Sequence, residues 1–457
     1  MTDPASAGLA RAEFGINHVI AYGQSLSSGW EGWPALSVVP RHDSLMLGGS
    51  VRPVSEHSAR WTPVGEAVFR PLVATVQDLA TGALLRPGQV AGLPERTAAL
   101  GETVLEGAVN FWRARMLTEN PQAAAHPLLA STCGVGGRAL AALSKGAPGN
   151  LFNRLRDCAS LAKATAAAQG RSYGIVALLF LQGENDNLGA GGDEPDRAAY
   201  RTLLRQWRAD VLTDLVHGIA EQAAVPALFL YQTGGAYAND AHPVPMAQLD
   251  VALEDAGCFM VGPSYPVTDK AGHLDANGYR WLGAQFGKVM HNVLTLGQIW
   301  RPLYPLRAVL RERIVLANFA VPVAPLAWGQ PFRGHRQVEV ADKGFTVTDD
   351  DGVVPIVAVA LDGPDSVAIS LARPPAGRAW LRYADRSRHA GRGCLHDSDP
   401  TLADDPYEYD ALTGHYASAN VAGWPGRRYP LMNWCVGFNI AIEADGGPKS
   451  ALQPDAK

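Results

Sequence analysis

Cysteine is scarce in this chain and spaced for no chemistry of its own. Five residues (Cys133, Cys158, Cys258, Cys394, Cys435) occur without a C-x-x-C pair, which excludes a zinc knuckle or a thioredoxin-type dithiol. Buried free thiols are the expected state, with Cys394 and Cys435 the pair an oxidising compartment would join if the fold brings them together. No apolar run approaches the roughly 20 residues of a membrane span. The opening "MTDPASAGLARAEFG" has neither the basic nor the apolar region of a secretory leader, so a cytoplasmic location is the default expectation. Lys and Arg form no run, and the net charge of -5 is small for 457 residues; polyanion partners are set aside. Two glycine signatures are missing as well. Ser27 stands where G-x-S-x-G needs its second Gly, and Ala139 where G-x-G-x-x-G needs its third, so neither an α/β-hydrolase elbow nor a dinucleotide loop is supported.

What is present is globular: 47% hydrophobic and 18% charged residues, with 48 Gly and 32 Pro implying many turns. The length predicts two units. From residue 17 to about 297, short β-rich runs alternate with helical ones. The runs "HVIAY" (18–22), "PLLASTC" (127–133), "GIVALLFL" (174–181), "PALFLY" (226–231) and "CFMVG" (258–262) read as strands, each followed by a segment with apolar residues at three- and four-residue steps. That alternation predicts a flavodoxin-like three-layer α/β/α domain over 1–300. A Pro-, Gly- and Trp-rich stretch at about 30–100 reads as an insertion over the site. Residues 301–457 change to short alternating runs, predicting a β-sandwich-like accessory domain. Within it "TDDDG" (348–352) lacks the ligand spacing of a calcium loop and reads as a hairpin turn, and the tail 446–457 is expected to fray.

Open α/β sheets bind ligands at the carboxyl ends of their strands, so the polar residues that follow each strand are the candidates. After the first comes Gly23-Gln24-Ser25, after the second Gly134-Val135-Gly136-Gly137-Arg138, and after the third Gln182-Gly183-Glu184-Asn185-Asp186. After the fifth, Asp269 and His273 lie in "DKAGHLDANG", just before the last helix. A Ser alone is uninformative; it needs a base, an orienting acid and oxyanion donors. An imidazole held by a carboxylate can serve as the base. An Asn amide and backbone N–H groups near glycines can serve as donors. A turn or cap is the competing reading for each of the first three segments taken singly, and an ordinary surface pair for Asp269 and His273.

Taken together, these blocks resemble the SGNH (GDSL-like) hydrolase superfamily, and within it the sialate O-acetylesterase and acetylxylan esterase-like carbohydrate esterases. The likeness spans residues 17–297, through "GQS", a Gly, "GEND", and Asp with His before the last helix. It implies Ser25 as nucleophile, with its own N–H in the oxyanion hole, together with Gly137 (Gly136 as fallback) and Asn185. His273 is implied as base and Asp269 as its orienting acid. In the family two residues usually separate that Asp from the His; here Lys270, Ala271 and Gly272 intervene, which leaves a backbone carbonyl as the other candidate for orienting His273.

The resemblance implies a serine esterase that clears small acyl groups, acetyl above all, from a carbohydrate through an acyl-enzyme. It needs no metal or organic cofactor. Gln24, Gln182 and Glu184 are candidates for substrate contact, as are Trp30 and Trp33, whose faces suit sugar rings; for these and Trp61, anchoring the insertion is the equal alternative. The rivals are a lipid or aryl esterase or thioesterase on the same frame, and a carbohydrate-binding protein without activity. The β domain is expected to shield one side of the catalytic unit.

Overall fold

The computed structural model describes residues 8–94, 97–189, 195–408 and 421–445; the tail expected to fray lies outside them. Strand β1 (Ile16–Gly23, INHVIAYG) is buried along its whole length, as a central parallel strand covered on both faces must be. Its side chains alternate between two cores. Ile20 and Tyr22 join one cluster with Leu155 and Trp207, while Val19 and Ala21 join the other with Val104 and Tyr279.

The remaining strands of this sheet are β2 (Leu45–Leu47), β3 (Phe69–Pro71), β4 (Leu128–Thr132), β5 (Tyr173–Leu181), β6 (Ala227–Gln232) and β7 (Cys258–Pro263). Their order is β3-β2-β4-β1-β5-β6-β7. All neighbours run parallel except β3 against β2. The five strands expected from the sequence therefore stand in the order 2-1-3-4-5, with the topological switch between β1 and β5. The insertion is more than a flap, because it supplies β2 and β3 to the sheet edge. Ala21 pairs with Thr132 and Gly23 with Leu181, so β1, β4 and β5 end nearly level and their following loops emerge on one rim.

Helices α1 (Val104–Glu119), α2 (Asn153–Ala168), α3 (Arg197–Val211), α4 (Pro243–Glu254) and α5 (Ala276–Met290) cover the sheet. A capping box of Thr103 and Glu106 starts α1. Helices α1 and α5 touch backbone to backbone. A Cβ added at Gly107 would lie 2.4 Å from Arg280 O, and one at Gly283 2.4 Å from Val104 O. That close approach fixes the N-terminus of α5, and with it the loop that precedes it.

A second sheet is built from β8 (Tyr304–Arg311), β9 (Ile314–Ala320), β10 (Phe345–Asp349), β11 (Gly352–Val354), β12 (Ile356–Leu361), β13 (Ser366–Leu371), β14 (Ala379–Tyr383) and β15 (Phe438–Ala444). Its order is β11-β10-β14-β15-β8-β9-β13-β12. The two outermost strands, β11 and β12, are joined through Pro355 alone, so the sheet must curl back on itself as a sandwich does. "TDDDG" is the β10–β11 hairpin, with Asp349 paired to Gly352. One apolar cluster runs from the face of the first sheet through Tyr265 and Leu303 into Phe345 and Phe438 of the second. The two sheets thus share a packed boundary. All five cysteines are buried and free.

Candidate active site

At the end of β1 the chain turns at Gly23 and Gln24 into a single helical turn, Ser25–Ser28. Ser25 Oγ lies 2.9 Å from His273 Nε2. On the other side of the ring, His273 Nδ1 lies 3.0 Å from Glu31 Oε2. Glu31 follows the end of that helical turn by three residues, in a left-handed backbone conformation (φ 59) that a non-glycine residue holds only when its surroundings over-determine it. Here they do: its N–H donates to Ala99 O at 2.9 Å, and the preceding Trp30 carbonyl accepts from Tyr279 Oη at 2.9 Å. A hydroxyl on an imidazole that is itself oriented by a carboxylate is the arrangement that lets Ser lose its proton as it attacks.

Asp269 is not the partner of His273. Its Oδ2 accepts from Arg392 Nη2 at 2.5 Å and its Oδ1 from the Ala271 N–H at 2.8 Å. The extra residue in "DKAGH" forms a turn closed by Lys270 N–H donating to His273 O at 2.7 Å. Asp269 thereby faces the β-rich unit while the imidazole faces Ser25. The alternative, a backbone carbonyl on Nδ1, is also not what stands there.

The glycine loop after β4 is tied from the insertion. Glu56, almost fully buried, accepts from Gly136 N–H at 2.8 Å and from Trp30 Nε1 at 3.1 Å through the same oxygen. With Gly136 committed, Gly137 is the position whose N–H takes no acceptor among the described residues. Its left-handed φ of 64 suits glycine. Asn185 Nδ2 donates to Gly137 O at 3.2 Å, and Asn185 N–H donates to Gln24 Oε1 at 3.2 Å, so the loops after β1, β4 and β5 are bonded to one another. The Ser25 N–H, at the start of its helical turn, has no intrahelical acceptor.

A pocket of about 280 Å³ opens over these groups, lined by Gln24, Ser25, Gly136, Gly137, Glu184, Asn185 and His273, with Trp30, His57, Leu188 and Tyr237 as its walls. The Trp30 and His273 rings are 5.7 Å apart. Trp33 does not reach this pocket: only 1% exposed, it packs in a small core with Val76 and Ala99 and donates Nε1 to Thr97 O at 2.8 Å. Trp61, also buried, anchors the insertion by donating Nε1 to Thr132 O at 2.9 Å. Gln182 is buried beneath the rim, accepting from Tyr200 Oη at 2.6 Å and donating to Arg138 O at 3.2 Å and to Asp186 Oδ2; it shapes the loop and contacts no ligand space. Glu184 Oε1 accepts from Tyr231 Oη and from Thr233 Oγ1 at 2.8 Å, while Oε2 is buried with no partner among the described residues. Burial pushes this carboxyl above its ordinary range against the pull of those two donors.

Besides Leu188 of the pocket wall, four site residues were not singled out from the sequence: Glu31, Glu56, His57 and Tyr237. Glu31 had a signal, since it is the only carboxylate in the "SSGWEGW" that follows Ser25. The other three lie far from every motif, and only the fold brings them to the rim. Among the described residues no group of three or more His, Cys, Asp or Glu side chains is set to hold a metal ion, and no helix is long and apolar enough to cross a membrane.

No family model and no curated protein matches the chain. Its fold is similar to a solved structure described as a novel carbohydrate acetylesterase from Xanthomonas citri, with a TM-score of 0.51 at 14% identity, covering 83% of this chain and 77% of that one. The structure of a protein from Arabidopsis thaliana overlaps less, at a TM-score of 0.38 and 14% identity, over 62% of this chain and 99% of that one. At such identities the first likeness speaks to the fold, an α/β unit with a β-rich one.

Proposed function

We propose that the protein is a serine esterase that removes small acyl groups, acetyl above all, from a carbohydrate. The observation that carries this reading is the line Glu31–His273–Ser25, with both imidazole nitrogens engaged at 3.0 and 2.9 Å. In this reading His273 takes the Ser25 proton as Oγ attacks the ester carbonyl. The Ser25 and Gly137 N–H groups and the Asn185 amide receive the oxyanion. The alcohol then leaves with the proton from His273, and water activated by the same ring frees the acid. The carboxylate role expected of Asp269 passes to Glu31.

The SGNH-type assignment is supported by the motif blocks, and the carbohydrate substrate also by the description of the Xanthomonas citri structure of similar fold. A pocket of about 280 Å³ walled by Trp30 and Leu188 suits a short acyl chain with a sugar face against the indole. The test is acetate release from a panel of acetylated glycans, with Ser25→Ala as control. Faster turnover of long-chain acyl esters than of acetylated sugars defeats the carbohydrate reading, and wild-type protein inert toward every activated acetate defeats the enzyme reading.

A further inference from the structure

The turn that presents His273 is gripped on both flanks by the β-rich unit. Before it, Asp269 Oδ2 accepts from Arg392 Nη2 at 2.5 Å, and the Asp269 N–H donates to Gly334 O at 3.3 Å. After it, Asp275, the N-cap of α5, meets His335 Nε2 at 2.9 Å through Oδ2. Arg392 is itself fixed in direction: Nε donates to Phe332 O at 2.6 Å and Nη1 to Ala390 O at 2.8 Å. The Arg392 and Asp269 side chains are 4% and 7% exposed, so neither charge can be met by water and each needs the other.

The Asp269 carboxylate does something specific with that fixed orientation. Its second oxygen accepts the N–H of Ala271, which sits in a left-handed conformation at φ 62. An alanine rests there only when neighbours hold it. Two residues later the chain delivers the imidazole to Ser25 and Glu31.

We propose that Arg392 is a positioning residue for His273: through Asp269 it holds the strained turn that sets the imidazole against Ser25, which makes the β-rich unit part of the catalytic assembly and not only a shield. The proposal rests on the esterase reading above. The motif aspartate keeps a function, as the link between the turn and the second unit.

The test uses the full chain and the variants Arg392→Met, Ser25→Ala and Arg373→Ala. Arg373 pairs with Asp349 at 2.5 Å and bonds only within the β-rich unit, so its loss reports general damage to that unit. Two rates are read on protein shown to be folded by thermal unfolding: hydrolysis of 4-nitrophenyl acetate, and covalent phosphorylation of Ser25 by diethyl 4-nitrophenyl phosphate. In the second reaction Ser25 Oγ attacks phosphorus, 4-nitrophenolate leaves and His273 takes the serine proton, so it reads Ser25 activation without a bound sugar. For Arg392→Met the expected result is a fall of roughly 10- to 100-fold in kcat and in the phosphorylation rate, with KM within about twofold. Arg373→Ala should stay within about twofold of wild type on both. If Arg392→Met alone does not fold, the double variant Asp269→Asn with Arg392→Met, which buries no lone charge, should show the same fall. Wild-type rates in the folded variant overturn the proposal, as does a loss that Arg373→Ala reproduces. A Ser25→Ala protein as active as wild type instead removes the esterase reading, and the proposal with it.

Discussion

Glu31 Oε2 and His273 Nδ1 meet at 3.0 Å although 242 positions separate them in the chain. The carboxylate lies six residues after Ser25, so one short segment presents two of the three groups and the imidazole is inserted between them. That segment thereby sets the spacing of the Ser25 hydroxyl and the Glu31 carboxylate.

Ser25→Ala and His273→Ala should each lower kcat on an activated acetate ester by roughly 10⁴-fold or more, because either change removes the attacking unit as a whole. The hydroxyl and the ring lie on a rim and fill no core volume, so the thermal midpoint should hold. Steady-state kinetics beside a melting curve checks both halves.

Glu31→Gln keeps the shape and loses the charge that stabilises an imidazolium. The expected fall in kcat is roughly 10³- to 10⁴-fold with KM little changed. Activity close to wild type would remove Glu31 from the line.

Asn185→Ala deletes the side-chain donor and the bond to Gly137 O at 3.2 Å. The loss should appear in kcat, by roughly 10² to 10³, and not in KM. A rise in KM at constant kcat would instead make Asn185 a substrate-binding group.

Glu106, fully buried in the capping box of α1, has its carboxyl pushed up from 4.5 to about 7 by burial and by the nearby Glu102. The folded chain thus keeps a proton that the unfolded chain has released. Its stability should be highest below about pH 4.5, as far as this group is concerned, and fall as pH rises to about 7. Glu106→Gln should flatten that fall, as urea midpoints at pH 5 and pH 7.5 will record. A wild-type slope in the variant contradicts the expectation.

Much of the first unit was legible in the residues. The strands ending at Gly23, Thr132, Leu181, Gln232 and Pro263 are continuous apolar runs, and a run buried on both faces leaves little else for the chain to do. The polar clusters at their ends were legible for the same reason, since uncharged burial stops where they start. Trp33 and Gln182 were not, because an indole beside a candidate nucleophile and an amide at a strand end look alike in sequence whether they face a pocket or a core. The strands Leu45–Leu47 and Phe69–Pro71 were hidden by their length: three residues carry no period.

By itself the sequence determined the alternation of strands and helices, and hence the rim on which Ser25, Gly137, Asn185 and His273 gather, because those features follow from local periodicity and from where apolar runs end. The partner of His273 was decided only by tertiary structure. Local spacing placed Asp269 four residues before the imidazole, but one added residue made a turn whose carboxylate is taken by Arg392 across the boundary between the sheets. Glu31 reached the vacant side of the ring through the left-handed turn after Ser25. Pairings of charge across long separations depend on the packing of whole layers, and no short motif encodes that.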